Sequence, residues 1–187
     1  NLNKHLHSLP VQPNAIPYVT SYYKKKWGFC VSYNDLKKFK SSKYRVKIDS
    51  KFSSSGLDYG EIYIKGRTKK EIMFSTYICH PALGNDNFSG ILINTLLASF
   101  VSKINTYYSY RFIFIPETIG SIFYINKNFQ HLKKNLIAGY VLSCLGKGKK
   151  FNILSKYQDY LSYKLLTRYF NNNKIKYITR HWKLRGS

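Results

Sequence analysis

Beyond Lys70 the chain alternates between two kinds of apolar pattern, and that alternation narrows the folds open to it more than any other feature. Ile72–Cys79, Arg111–Ile115, Leu136–Leu145 and Ile175–Trp182 are short runs dominated by aliphatic, β-branched and aromatic residues. The first two are nearly continuous, which suits strands covered on both faces. Between the four runs lie Phe88–Ile104, Ile119–Lys134 and Tyr157–Phe170, which read as helices. The first places Ile91, Leu92, Thr95, Leu96 and Ala98 at helical spacing, and the second Ile119, Ile122, Phe123, Phe129 and Leu132. Pro116 ends one strand, Gly146-Lys147-Gly148 another, and Asn171-Asn172-Asn173 stops the last helix. Strands and helices in strict succession predict crossover connections and a largely parallel sheet, so the fold class is α/β. No internal repeat is present.

The grammar before Lys70 is different. Pro10, Pro13 and Pro17 make His5–Pro17 an extended or looped connection. From Val19 to Lys65 the signals are short and β-like: Trp27–Tyr33, Glu61–Ile64 and Tyr44–Ile48, the last alternating between faces as a half-solvated strand should. Ser53-Ser54-Ser55-Gly56 reads as a loop. The expected organisation is a connection over residues 1–18 that belongs to the α/β domain, a small inserted β-rich domain over 19–66, and the α/β domain proper over 67–187. The chain starts at Asn1 and stops at Arg185-Gly186-Ser187, directly after a strand-like run. It is therefore read as a fragment, incomplete at its C-terminal end, and a signal peptide before Asn1 stays open.

Composition excludes several classes. At 187 residues with 44% hydrophobic content the chain can bury a core, so whole-chain disorder is ruled out. No apolar run reaches about 18 residues, so no membrane-spanning helix is expected. Cys30, Cys79 and Cys144 are far apart and odd in number, which fits reduced thiols and a cytoplasmic location. The formal charge of +23 suggests nucleic acid when read alone. But Lys far outnumbers Arg, whereas bidentate Arg is the preferred reader of phosphates and bases. Lys, Asn, Ile, Tyr and Phe, all abundant here, share codons rich in A and T. Nucleic acid therefore ranks last among the partners.

In a parallel sheet the ligand site lies in the loops that leave the carboxyl ends of the strands. The loop after the first strand runs Cys79-His80-Pro81-Ala82-Leu83-Gly84-Asn85-Asp86-Asn87-Phe88-Ser89-Gly90, and the loop after the second Pro116-Glu117-Thr118-Ile119-Gly120-Ser121. Asp86 and Glu117 are two of only eight acids in the chain, and both fall at ends of adjacent buried strands. Imidazole and carboxylate are zinc ligands, and a carboxylate outside the ligand set can move a proton to or from the attacking water. Taken singly, His80 also suits a strand-end hydrogen bond, Asp86 or Asn87 a helix N-cap, and Glu117 a favourable helix start. Taken together, the placement favours a metal site. Cys79 neighbours His80 and points to the other face of the strand, so it is expected in the core, and Cys144 likewise. His5, His7, His131 and His181 are assigned no role.

Three segments in combination, Ile78-Cys79-His80-Pro81, Asn85-Asp86-Asn87-Phe88-Ser89-Gly90 and Ile115-Pro116-Glu117-Thr118-Ile119-Gly120-Ser121, resemble the zinc aminopeptidase-like exopeptidases. The chain is most similar to a bacterial branch known as an aminopeptidase-like domain of unknown function, associated with polysaccharide biosynthesis. Leu6-His7-Ser8-Leu9-Pro10, Ile16-Pro17-Tyr18-Val19-Thr20-Ser21-Tyr22-Tyr23 and Trp27-Gly28-Phe29-Cys30 share that likeness, which extends over nearly the whole chain. The resemblance implies a three-layer α/β/α zinc-peptidase-like (phosphorylase/hydrolase-like) sheet carrying a small inserted β-rich domain. It implies His80 as first zinc ligand, Asp86 as the carboxylate that bridges two zincs in the active enzymes, and Glu117 as general base. Two positions depart from the pattern: Thr118 stands where a second Glu follows the base, and Ser143 where an Asp ligand closes the next strand. One zinc is therefore expected, with two not excluded, and the final His ligand is expected beyond Ser187.

The function expected on these grounds is zinc-dependent hydrolysis of an amide bond, in a peptide or an acylated amino sugar, with the isolated 187-residue chain inactive. The alternative is a catalytically degenerate peptidase-like scaffold in polysaccharide biosynthesis. A homo-oligomer stays open.

Overall fold

The central strands are where the apolar runs demand burial on both faces, and the computed structural model of the chain places them so. It describes residues 2–19, 25–40, 43–51, 56–79, 83–146 and 148–184, which divide into two compact units, 1–55 and 56–187.

In the first unit, β1 (Leu6–His7) pairs in parallel with β2 (Phe29–Cys30). Gly28 is required beside this pair, because a Cβ there would lie 2.8 Å from both the His5 carbonyl and the His7 ring. His5 stacks on Trp27 with ring centroids 3.6 Å apart and its Nδ1 bonds the Trp27 carbonyl. The expected strand Trp27–Tyr33 is cut short by a local signal. Ser32 accepts a bond from the Asp35 amide and donates to the Asp35 carboxylate, capping the single helical turn α1 (Tyr33–Leu36). Tyr44–Ile48 is not a strand, and its side chains are exposed. Alternation provides a face to bury but no partner to bury it against.

The second unit begins with β3 (Gly60–Ile64) and continues through β4 (Glu71–Tyr77), α2 (Ser89–Val101), β5 (Ser109–Ile115), α3 (Ile119–Asn135) and β6 (Leu136–Val141). The sheet order is β3-β5-β4-β6. Strands β4, β5 and β6 are parallel, and β3 closes the edge antiparallel to β5. In β4–β6 the register steps from Glu71↔Leu136 to Ile72↔Ala138, so Ile137 is a bulged extra residue. Strand β5 serves both faces by its period of two. Ile113 and Ile115 pack with Tyr124 and Leu132 of α3, while Phe112 packs with Ala98 and Val101 of α2. Phe74, Phe112 and Tyr140, level with one another on three neighbouring strands, stack with centroids 5.3–5.5 Å apart.

The fourth expected strand forms, as β8 (Tyr177–His181), but it does not join this sheet. It pairs in parallel with β7 (Phe151–Ser155), a strand the sequence pattern did not disclose, and α4 (Leu161–Asn172) connects the two. Phe170 fixes the helix against both strands through Phe151 and Tyr177. The architecture is mixed α/β. No helix among the described residues is long and apolar enough to cross a membrane.

At the amino end of β4 lies a buried charge network. Glu71 is 0% exposed, and Arg111 of β5 reaches it with Nε at 2.8 Å and Nη2 at 3.1 Å. Arg111 Nη1 also meets Glu61 of β3 at 2.5 Å, and Tyr124 donates to the same carboxylate. His131, expected to have no role, bonds Glu71 through Nε2 and faces Asn135 through Nδ1. Burial alone would raise the Glu71 carboxyl, but the bonds from Arg111 and His131 outweigh it and hold the group below the usual glutamate range. Burial works against the Arg111 charge too, and the neighbouring groups, the Glu71 carboxylate first and Glu61 with it, together more than offset it.

Candidate functional site

Because β4, β5 and β6 run in parallel, their carboxyl ends deliver three loops to one rim of the sheet. The β4 loop carries Asp86, the β5 loop Glu117, and the β6 loop Ser143 and Cys144. His80 lies outside the described residues. Asp86 and Glu117 thus leave adjacent parallel strands, as the sequence order requires.

The β4 loop is held by side chains for which the sequence suggested at most a capping role, Asn87 among them. Asn87 is buried, and its Nδ2 donates to Thr76 Oγ1 at 2.7 Å and to the Tyr77 carbonyl at 3.0 Å. Its Oδ1 accepts from the Cys144 amide at 3.1 Å, which ties the β4 loop to the β6 loop. Asn85 Oδ1 accepts from the Gly146 amide, and Ser89 Oγ from the Leu145 amide, so three consecutive amides of the β6 loop are satisfied by this one segment. Asn87 is therefore a loop staple and not an N-cap, and α2 begins with no side-chain cap. Gly90 leaves the room needed: a Cβ there would sit 2.5 Å from the Leu142 carbonyl, 2.6 Å from Asn87 Oδ1 and 2.7 Å from Thr76 Oγ1. The Asp86–Asn87 peptide is cis. The clue was in the sequence, since Asn, Asp, Asn and Ser crowd one short loop, but only the neighbouring strand reveals what the amides hold.

Asp86 is half-buried, and Tyr77, the last residue of β4, donates its hydroxyl to Oδ1 at 2.6 Å. The same phenolic oxygen is 2.8 Å from Ser143 Oγ and 4.0 Å from Cys144 Sγ. Burial, and then the Asp86 bond, push the Tyr77 phenol well above its ordinary range. Cys144 is exposed, with a positive φ of 54°, because β6 ends at Val141 and the chain has already turned away from the core. Cys79 is exposed as well. It has left the strand and accepts the Glu117 backbone amide on Sγ, tying the β4 and β5 loops together. Both thiols were expected inside, an expectation that presumed strands two to four residues longer than they are.

Glu117 is exposed at the end of β5. Thr118, next to it, has φ 59° and ψ −68°, and the Ile119 amide bonds the Glu117 carbonyl at 2.6 Å across it. This is a γ-turn of the rare positive-φ hand, strained for a β-branched residue. Gly120 lets α3 start immediately after the turn, since a Cβ there would lie 2.8 Å from the Pro116 ring.

A hard oxygen donor suits zinc, and Asp86 retains Oδ2 without a hydrogen-bond partner among the described residues. Those residues contain no group of three or more His, Cys, Asp or Glu disposed to hold a metal ion. The donor chemistry present thus fits one carboxylate ligand of such a site.

Residues 10–187 match the family described as a domain of unknown function, DUF4910. The chain belongs to that family. A Clostridium acetobutylicum protein, provisionally named as a polysaccharide biosynthesis protein with an aminopeptidase-like domain, is 46% identical over 145 residues, 78% of this chain and 33% of that protein. A crystal structure from the same organism, provisionally described as a peptidase, superposes with a TM-score of 0.74 at 39% identity, over 96% of this chain and 43% of that one. The DUF4910 chain thus spans a third of the curated relative's length and under half of the solved chain's.

Proposed function

We propose that this chain forms the metal-and-base half of a zinc-dependent, aminopeptidase-like amide hydrolase. The observation that supports it is the delivery of Asp86 and Glu117 to one rim by adjacent parallel strands, in a fold shared with a chain described as a peptidase. In this reading the sheet and its two helix faces correspond to the three-layer peptidase-like arrangement. Asp86 and His80 would hold one zinc, with a later His completing the set. Zinc held there would supply Lewis acidity and an activated water. Asp86 supplies carboxylate charge from a loop made rigid by Asn85, Asn87 and Ser89. The Glu117 carboxylate takes a proton from the attacking water and returns it to the leaving amine. The substrate is a peptide or an acylated amino sugar, the second suiting the polysaccharide role in the relative's name.

The test is Glu117→Gln in the full-length protein, assayed on aminoacyl anilides and N-acetylated amino sugars together with zinc analysis. Turnover should fall by about 10²–10⁴-fold with zinc content unchanged. Unchanged turnover, or loss of the zinc, defeats the base assignment. A second reading, a scaffold without turnover, is favoured by Ser143, whose hydroxyl is bonded to Tyr77 at a strand end where an acid would serve a metal. A wild-type turnover abolished by chelator excludes it.

A further inference from the structure

We propose that Tyr77 is a positioning residue that presents Asp86 to the metal through a single oxygen. The inference rests on the reading of Asp86 as a ligand and adds what sets its geometry. A carboxylate on a loop can rotate about its last torsion and offer either oxygen, or both. Here the Tyr77 hydroxyl, carried on the final residue of a central strand, donates to Oδ1 at 2.6 Å. The phenol is itself anchored on its far side, 2.8 Å from Ser143 Oγ on the β6 loop. The carboxylate is thus clamped from the strand, and the Asn87 staple fixes the backbone one residue further on. Oδ2 is the oxygen left for a cation. Hydrogen-bonded partners of this kind orient a ligand and typically account for 10–100-fold in metal affinity.

Ser143 gains a role from this arrangement. It is the phenol's second anchor, and its hydroxyl acts on the metal through Tyr77 and Asp86. The same geometry favours one zinc over two, because a carboxylate with one oxygen engaged by a phenol is a poorer bridge than one with both oxygens unpartnered.

Zinc affinity of the full-length protein, measured by competition with a chromogenic chelator, tests this with Tyr77→Phe, Ser143→Ala and Asp86→Ala. Tyr77→Phe should weaken zinc about 10–100-fold and shift the absorption bands of the cobalt(II) form, which a purely structural role would leave in place. Ser143→Ala should weaken zinc by a smaller factor, and it keeps the proposal testable if the phenylalanine variant does not fold. If Asp86→Ala loses zinc while Tyr77→Phe and Ser143→Ala bind as the wild type does, the positioning role is wrong and the ligand reading survives. If Asp86→Ala itself binds zinc normally, the ligand reading fails and the positioning role with it.

Discussion

Replacing Arg111 by Met should be among the most damaging single changes in this protein, and the charge network shows why. Glu71 is 0% exposed and Arg111 only 11%, so neither charge is solvated once its partner is gone. Met preserves most of the side-chain volume and removes the two bonds to Glu71, at 2.8 and 3.1 Å, and the one to Glu61 at 2.5 Å. Breaking one side of a buried pair costs about 3–5 kcal/mol, a large share of the roughly 5–15 kcal/mol that holds a domain together. Urea unfolding followed by circular dichroism should show it, since at about 1–3 kcal/mol per molar the midpoint moves by at least about 1 M. The pH dependence carries the sign. Glu71 has its folded-state pKa lowered, so its stabilisation is complete above the unfolded value of about 4.3 and disappears as the pH falls through the folded one. In the variant the same carboxyl keeps the His131 bond but has lost its guanidinium partner, so burial weighs more heavily against its charge and protonation relieves part of the cost. The gap between wild type and variant should therefore narrow as the pH falls towards about 4.3, where the variant is relieved, and further below it, where the wild type loses its stabilisation. Adding Glu71→Leu to Arg111→Met should recover much of the loss, because the buried carboxylate that lost its guanidinium partner is gone. A single-variant loss below about 1 kcal/mol, or a gap that stays constant with pH, would refute the argument.

Two further outcomes follow from the loops. Gly90→Ala forces a methyl against three atoms within 2.7 Å, two of them in the Asn87 staple. It should cost about 1–3 kcal/mol and lower Tm by about 2–4 °C for each of them, and an unchanged Tm would mean that the loops part easily. Thr118→Gly removes the strain of a β-branched residue at φ 59°, worth about 1–3 kcal/mol against the 0.5–1 kcal/mol that glycine costs in backbone entropy. A modest rise in Tm is expected, and a fall would show that the threonine side chain contributes more than its backbone strain removes.

The parts of the fold legible in the sequence are those whose signal is local and strong. Arg111–Ile115 announced β5 because both of its faces are apolar, and Ile119–Lys134 announced α3 through spacing alone. What could not be read depends on partners distant in the chain. Phe151–Ser155 becomes a strand because Tyr177–His181 lies beside it, whereas Tyr44–Ile48, with the cleaner alternation, pairs with no strand among the described residues and stays irregular. Asp86 and Glu117 were visible as acids at strand ends, a matter of counting residues outward from apolar runs. Tyr77 was hidden inside such a run, where an aromatic reads as core, and only the fold puts its hydroxyl on a carboxylate. His131 looked like one more polar residue on a lysine-rich helix end until β4 brought Glu71 beneath it.

The extra residue in β6 bears on how this sheet can change in evolution. Deleting one residue from a strand normally reverses every side chain beyond the cut, turning core to solvent and solvent to core. Ile137 is already the surplus member of its pairing, flanked by Leu136 opposite Glu71 and Ala138 opposite Ile72. Its loss would leave each of those facings intact, so β6 is the strand of this sheet at which the chain could be shortened by one residue without turning the protein inside out.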